Sequence, residues 1–150
     1  MRRKFLSKII INILVILELS VTTSHDTESL RIILSDPNFV LPLLFPSIKD
    51  LKVLGGSFHG HANYLNIDHE VSGNIYISSN EINYPFTLSR GKNLGTGRLT
   101  FYLTPGRISL KLEYEGWMET FAGGLLGRWV RKFSRELEEK IRMERIRRKI

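Results

Sequence analysis

At 150 residues and 17.3 kDa, with 42% hydrophobic and 25% charged residues, the chain is sized for one globular domain built on a single core. It has no cysteine, which excludes a disulfide scaffold, thiol catalysis and cysteine-ligated zinc, and four histidines leave little for any other metal site. The formal charge of +7 would suit a polyanionic partner, but it sits at the two ends.

Arg2, Arg3, Lys4 and Lys8 open the chain, residues 128–150 carry ten Lys/Arg against four Glu, and residues 9–127 hold eight basic and eleven acidic residues. The body is therefore mildly acidic. It lacks the interleaving of basic and stacking aromatic residues that tracks phosphates, so no nucleic-acid partner is expected.

Residues 1–8 and the apolar run from Ile9 to Leu17 have the outline of a signal peptide, with a basic start and a short hydrophobic stretch. The run is too short for a comfortable transmembrane helix. Asn12 within it, Glu18 at its end and the lack of a small-x-small cleavage site weigh against the signal reading. The segment Leu17-Glu-Leu-Ser-Val-Thr-Thr23 alternates apolar and polar residues like a half-buried strand. Two readings stay open: a first strand over residues 12–23 behind a basic, apolar extension (1–11), or a membrane-directed segment. The corresponding expectation is a cytoplasmic protein, with membrane association through the N-terminal segment as the alternative.

Ser24 or Asp26 can cap a short helix running through Leu34, with Glu28 early in its first turn. Asp36-Pro37 ends it, and Pro42 and Pro46 bracket Leu43-Leu44-Phe45, which suggests a second short helix or an irregular turn. Residues 48–54 lead into the turn signal Gly55-Gly56. Strands with period-two alternation are predicted over 58–65, 72–79, 81–89, 98–104 and 107–115, with Thr104-Pro105-Gly106 as a tight hairpin. Ile108, Leu110, Leu112 and Tyr114 share one face of the last strand, which makes this an antiparallel meander with one apolar side.

Beyond Gly116 the period changes. Phe121, Leu125, Trp129, Phe133, Leu137 and Ile141 recur every four residues, as on a long helix laid against the sheet. Gly123, Gly124 and Gly127 each cost that helix roughly 1 kcal/mol relative to alanine, suggesting close approach to the sheet, a kink or room for a ligand. After Glu138 the charges predict a solvated or frayed end, so the domain is expected over 12–141 with a basic helical tail (142–150).

The order is strand, two short helices, meander, long helix: an α+β chain with about six antiparallel strands. Ser24-His-Asp-Thr-Glu-Ser-Leu-Arg-Ile-Ile-Leu-Ser-Asp-Pro37, Ile82-Asn-Tyr-Pro-Phe86, Gly95-Thr-Gly97, Ile108-Ser-Leu-Lys-Leu-Glu-Tyr-Glu-Gly-Trp117 and the Trp129 helix carry a resemblance over residues 17–141. The chain resembles the helix-grip fold of the START/Bet v 1-like (polyketide cyclase-like, SRPBCC) superfamily, and is similar to the DUF3211 family of thermoacidophilic archaea. The resemblance implies a curved sheet wrapped around the C-terminal helix, with a cavity between them that takes hydrophobic ligands such as lipids, or in some branches hosts cyclase or hydrolase chemistry.

Residues expected to line that cavity are Tyr64, Tyr76, Tyr84, Phe86, Phe101, Tyr114, Trp117 and Phe121, with Gly124 on the helix. Plain core packing is the alternative for each aromatic.

No catalytic constellation is recognisable. His59 and His61 point the same way on a strand, where two imidazoles can reach one metal, but no carboxylate pattern completes a site and solvent-facing rings are the simpler reading. Glu113 and Glu115 alternate outward with Lys111, as a solvated charge pair. The loop 91–97 lacks the order of a phosphate cradle.

We therefore expect a protein without metal or cofactor that binds a hydrophobic or amphipathic, lipid-like small molecule. A cyclase or dehydratase using His61, Tyr84 or Arg98 is the alternative. A weak membrane-surface contact through the basic ends is a third reading, with Trp129, Phe133, Leu137 and Ile141 turned to the lipid.

Overall fold

The computed structural model describes residues 14–150, leaving out the side chains of 119–121. The expectation for residues 1–11, and the start of the first strand at Asn12, lie outside the described residues. In chain order the elements are β1 (Leu14–Thr22), α1 (Thr27–Leu34), α2 (Pro37–Leu44), β2 (Ile48–Leu54), β3 (Ser57–Tyr64), β4 (Ile67–Asn74), β5 (Tyr76–Ile77), β6 (Glu81–Arg90), β7 (Asn93–Thr104), β8 (Arg107–Gly116) and α3 (Glu119–Arg148).

The strands form one antiparallel sheet in the order β1-β8-β7-β6-β4-β3-β2, with the two-residue β5 hung on β6. Eight strands replace the six expected. The segment predicted at 72–79 is displaced: the alternation that forms β4 starts at Ile67, and after Asn74 only Tyr76 and Ile77 pair with β6. Residues 93–97 are not a loop but the start of β7, paired along their length with β6 and, from Gly95, also with β8.

The alternation sets the sheet's two faces. Ile82, Tyr84 and Phe86 on β6, Leu99, Phe101 and Leu103 on β7, and Ile108, Leu110, Leu112 and Tyr114 on β8 are buried. They meet Val130, Phe133, Leu137 and Ile141 of α3 and Leu30, Ile33, Leu34, Val40, Leu41 and Leu44 of the short helices. Each such side chain contributes roughly 1.5–3 kcal/mol of transfer free energy, so this apolar seam holds the fold.

The first short helix starts at the expected cap, whereas Asp36-Pro37, expected only to end it, also opens the second. Asp26 accepts from the Ser29 backbone N–H at 2.9 Å, and Asp36 from that of Asn38 at 2.9 Å, with Pro37 as the first helical residue. The Ser29 bond also lowers the carboxyl pKa of Asp26. Pro42 lies inside α2 rather than bounding it.

The end of α3 is not frayed. Its helix runs to Arg148, and the basic residues there are tied to the short helices. Arg145 reaches the Asp26 carboxylate at 3.4 Å, and Arg148 pairs with Asp36 and Glu144. Arg145 Nη1 also lies 3.1 Å from His25 Nδ1. A guanidinium only donates, so Nδ1 accepts and the ring carries its hydrogen on Nε2, toward the Glu138 carbonyl 3.2 Å away. Burial alone would raise the Glu138 carboxyl pKa, but hydrogen bonds from the Ser24 hydroxyl and N–H at 2.7 and 3.0 Å bring it below its usual range.

Candidate functional site

Beside the first turns of α3 the packing leaves a cavity of about 80 Å³. Its walls come from Phe45 and Ser47 after α2, Ile48 of β2, Ala62 and Tyr64 of β3, and Ile67, His69 and Val71 of β4. Phe86 and Leu88 of β6, Tyr114 of β8, and Trp117, Met118, Ala122, Leu125, Leu126 and Trp129 complete them. The lining is almost wholly apolar, and half a dozen rings dominate it.

Those rings hold one another edge to face. Trp129 sits 5.8 Å from Tyr64 and 6.2 Å from Phe45, while Phe45 meets Phe86 at 5.6 Å. Phe86 and Tyr114 are parallel at 6.3 Å, and His69 meets Trp117 at 5.3 Å. Such contacts fix ring orientation as well as burying area.

The floor is kept low by an alternation across the strands. Phe58, Gly73, Phe86, Gly97 and Tyr114 are cross-strand neighbours in one row. A Cβ on Gly97 would stand 2.4 Å from Phe86 Cζ, and one on Gly95 would stand 1.9 Å from the Tyr114 hydroxyl oxygen. Both rings therefore lie down over a neighbouring strand, as only glycine permits, instead of standing up into the space beneath α3.

Polar groups are few. The Tyr114 hydroxyl donates to the Trp117 carbonyl at 2.6 Å, which fixes the turn into α3. His69 Nδ1 lies 3.2 Å from the Ile67 carbonyl, which can only accept, so Nδ1 carries the hydrogen and Nε2 of the neutral ring is an acceptor. Ser47 is buried at the cavity edge.

Four expected ligand contacts, Tyr64, Phe86, Tyr114 and Trp117, are brought together in this wall. Tyr84 and Phe101 lie instead in the solid core, both fully buried. The Tyr84 hydroxyl donates to the Leu34 carbonyl at 2.6 Å, and burial, with Asp36 nearby, pushes its pKa far above the usual phenol range. Tyr76 is 61% exposed on β5, away from the cavity, because the strand carrying it is shorter and later than predicted. Gly124 faces solvent with open space around it; Gly123 and Gly127 are the positions where α3 comes near Val15 and Leu17 of β1. Phe121 falls among the side chains outside the described residues.

The sequence reading passed over Ser47 and His69. His69 shares a face with Ile67 and Val71, a signal that becomes readable once β4 is placed at its true bounds. His61 and His59 are outward and more than half exposed, each beside one carboxylate, Asp50 at 3.4 Å and Glu70 at 3.5 Å. Arg98 is exposed on the outer face, so none of His61, Tyr84 and Arg98 reaches the cavity. Among the described residues no group of three or more His, Asp or Glu could hold a metal. Nor is any helix there long and apolar enough to cross a membrane.

A curved antiparallel sheet closed over a long C-terminal helix, with an apolar cavity at the helix's N-terminal half, defines a helix-grip protein. A family model matches residues 15–150, and the chain belongs to that family; its fold is Bet v 1-like. A hypothetical protein from Sulfolobus tokodaii has a similar structure, with a TM-score of 0.78 and 26% identity over 89% of this chain and 99% of that one. A conserved protein from Geobacillus kaustophilus aligns at a TM-score of 0.64 with 12% identity, over 84% of this chain and 93% of its own. The major latex-like protein 151 of Panax ginseng aligns at 0.58 with 10% identity, over 84% and 96%, a likeness of fold alone. No curated protein matches the sequence.

Proposed function

We propose that the protein binds a compact hydrophobic molecule, apolar or aromatic with at most one polar group, between its sheet and the first turns of α3. The observation that carries this reading is the ring-walled cavity itself, whose floor is held down by Gly95 and Gly97 under Tyr114 and Phe86. A core selected only for stability would be filled, since unfilled apolar volume costs about 24 cal/mol per Å³.

Size sets the ligand class. About 80 Å³ is less than the roughly 150 Å³ of an apolar cavity that admits benzene, and far below the 300 Å³ at which drug-sized sites begin. A lipid-like chain does not fit that volume as it stands. The turn into α3 forms one end of the wall. Met118 is left-handed at φ 63°, and no side chain caps the helix there. Ser47 and His69 are the polar groups against which one ligand heteroatom would set its orientation.

The reading includes nearness to the DUF3211 family and a site of action in the cytoplasm. The test is native mass spectrometry of the purified full chain together with titration of the fluorescent probe N-phenyl-1-naphthylamine. A co-purifying small molecule, or saturable probe binding displaced by small aromatics, is the expected result. A bare protein that leaves the probe dark would overturn the reading.

A further inference from the structure

Folding turns Trp129, Phe133, Leu137 and Ile141 toward the sheet, so that stripe is not available to a lipid surface. The opposite side of α3 is available. At 100° per residue, Arg128, Arg131, Lys132, Arg135, Glu139, Arg142, Met143 and Ile146 fall within one arc of about 120°, and every one of them is exposed. Five are basic and one is acidic.

Charge and apolarity are separated along this arc. Arg128, Arg131 and Arg135 line its first half at spacings of three and four, and among the described residues none of them pairs with an acid. The second half exposes Met143 by 55% and Ile146 by 64% beside Arg142, with Ile150, 46% exposed, just past the helix end. Basic side chains of the same helix that face inward are consumed differently: Arg145 and Arg148 are bound to Asp26 and Asp36. Arg128, Arg131 and Arg135 have no such structural use among the described residues.

We propose that the outer face of α3 docks on an anionic membrane surface, with Arg128, Arg131 and Arg135 on lipid phosphates and Met143 and Ile146 sunk at the headgroup boundary. The 30-residue helix offers a platform roughly 45 Å long. A basic face with an apolar end is the pattern of an interfacial helix. A nucleic acid would reward the arginines but not exposed aliphatic side chains, and this face carries no aromatic for a base to stack on. The inference does not depend on the cavity being a ligand site.

The test is sedimentation of the full chain with phosphatidylcholine vesicles, with vesicles containing one-third phosphatidylglycerol, and with polyuridylic acid as a competing polyanion. Binding is expected to the anionic vesicles only, and to weaken sharply in half-molar salt. Arg128→Gln/Arg131→Gln/Arg135→Gln should weaken it on the order of 100-fold, at about fivefold for each basic residue near the surface. Met143→Ser/Ile146→Ser should lower it several-fold while keeping its salt dependence. These residues are solvent-exposed, and an unchanged circular dichroism spectrum confirms the fold of each variant. Equal binding to neutral vesicles, no binding at all, binding that survives the triple change, or preference for the RNA would each overturn the proposal.

Discussion

Replacing Ala62 by leucine separates a cavity kept for a ligand from a packing defect. Ala62 is 3% exposed on β3 and its methyl forms part of the cavity wall. Leucine adds three carbons to a space of about 80 Å³. At about 0.8 kcal/mol per buried methylene-sized group the gain is ~2.4 kcal/mol, against which a rotamer bent to fit between Tyr64 and Trp129 costs about 1 kcal/mol. The net is about 1 kcal/mol of stabilisation, a rise in Tm of roughly 2–4 °C for a chain of this length. The same side chain occupies the volume the ligand needs, so affinity for N-phenyl-1-naphthylamine should fall at least about tenfold, or ~1.4 kcal/mol. Calorimetry and probe titration on the same preparation give both quantities. Stability up and binding down is the expected pair. A Tm lowered by several degrees would mean that no room exists at Ala62, and unchanged probe affinity would place the probe elsewhere.

Three further outcomes follow from the packing. Tyr84→Phe removes the donor to the buried Leu34 carbonyl and should cost about 1–3 kcal/mol in urea denaturation; a change below half a unit would show that water replaces the hydroxyl. Gly97→Ala drives a methyl into Phe86 Cζ and the Glu113 carbonyl, and is expected to destabilise by about 1–3 kcal/mol and to disturb probe binding, whereas Gly124→Ala, in open space, should stabilise slightly. Hydrogen bonds from Arg147 and Arg148 hold the Glu144 carboxyl at about 2. A depressed carboxylate contributes stability above its unfolded pKa near 4.3 that is lost as pH falls toward 2. On the order of 2 kcal/mol should therefore disappear between pH 5 and pH 2, and Glu144→Gln should flatten that slope; parallel curves for the two proteins would contradict the assignment.

Local chemistry made part of this architecture legible in advance. Asp26 announces a helix start because its side chain reaches only the next few N–H groups, whereas Asp36, read as a stop, also caps the following helix. The alternation in residues 107–115 and the four-residue recurrence of Leu125, Trp129, Phe133, Leu137 and Ile141 fix which faces are apolar, since strand and helix geometry impose those periods. The resemblance to the helix-grip superfamily followed from that order. β4 was misplaced because Ile67, His69 and Val71 alternate through a histidine that a hydropathy pattern reads as polar. The helix after Glu138 was underestimated because its partners, Asp26 and Asp36, lie more than a hundred positions away.

The amino-acid order by itself thus determined the element types, the apolar faces and the concentration of positive charge at the chain's ends. Tertiary structure alone decided that Tyr84 and Phe101 are core while Tyr64, Phe86 and Tyr114 wall a cavity, because all five satisfy the same periodic rule and differ only in what lies opposite them. It likewise divided the basic residues of α3 between clamps on the short helices and an open outer face. Periodicity specifies a direction for each side chain; the distance to the next surface depends on how the sheet curves, and that is settled by contacts such as Phe86 lying over Gly97.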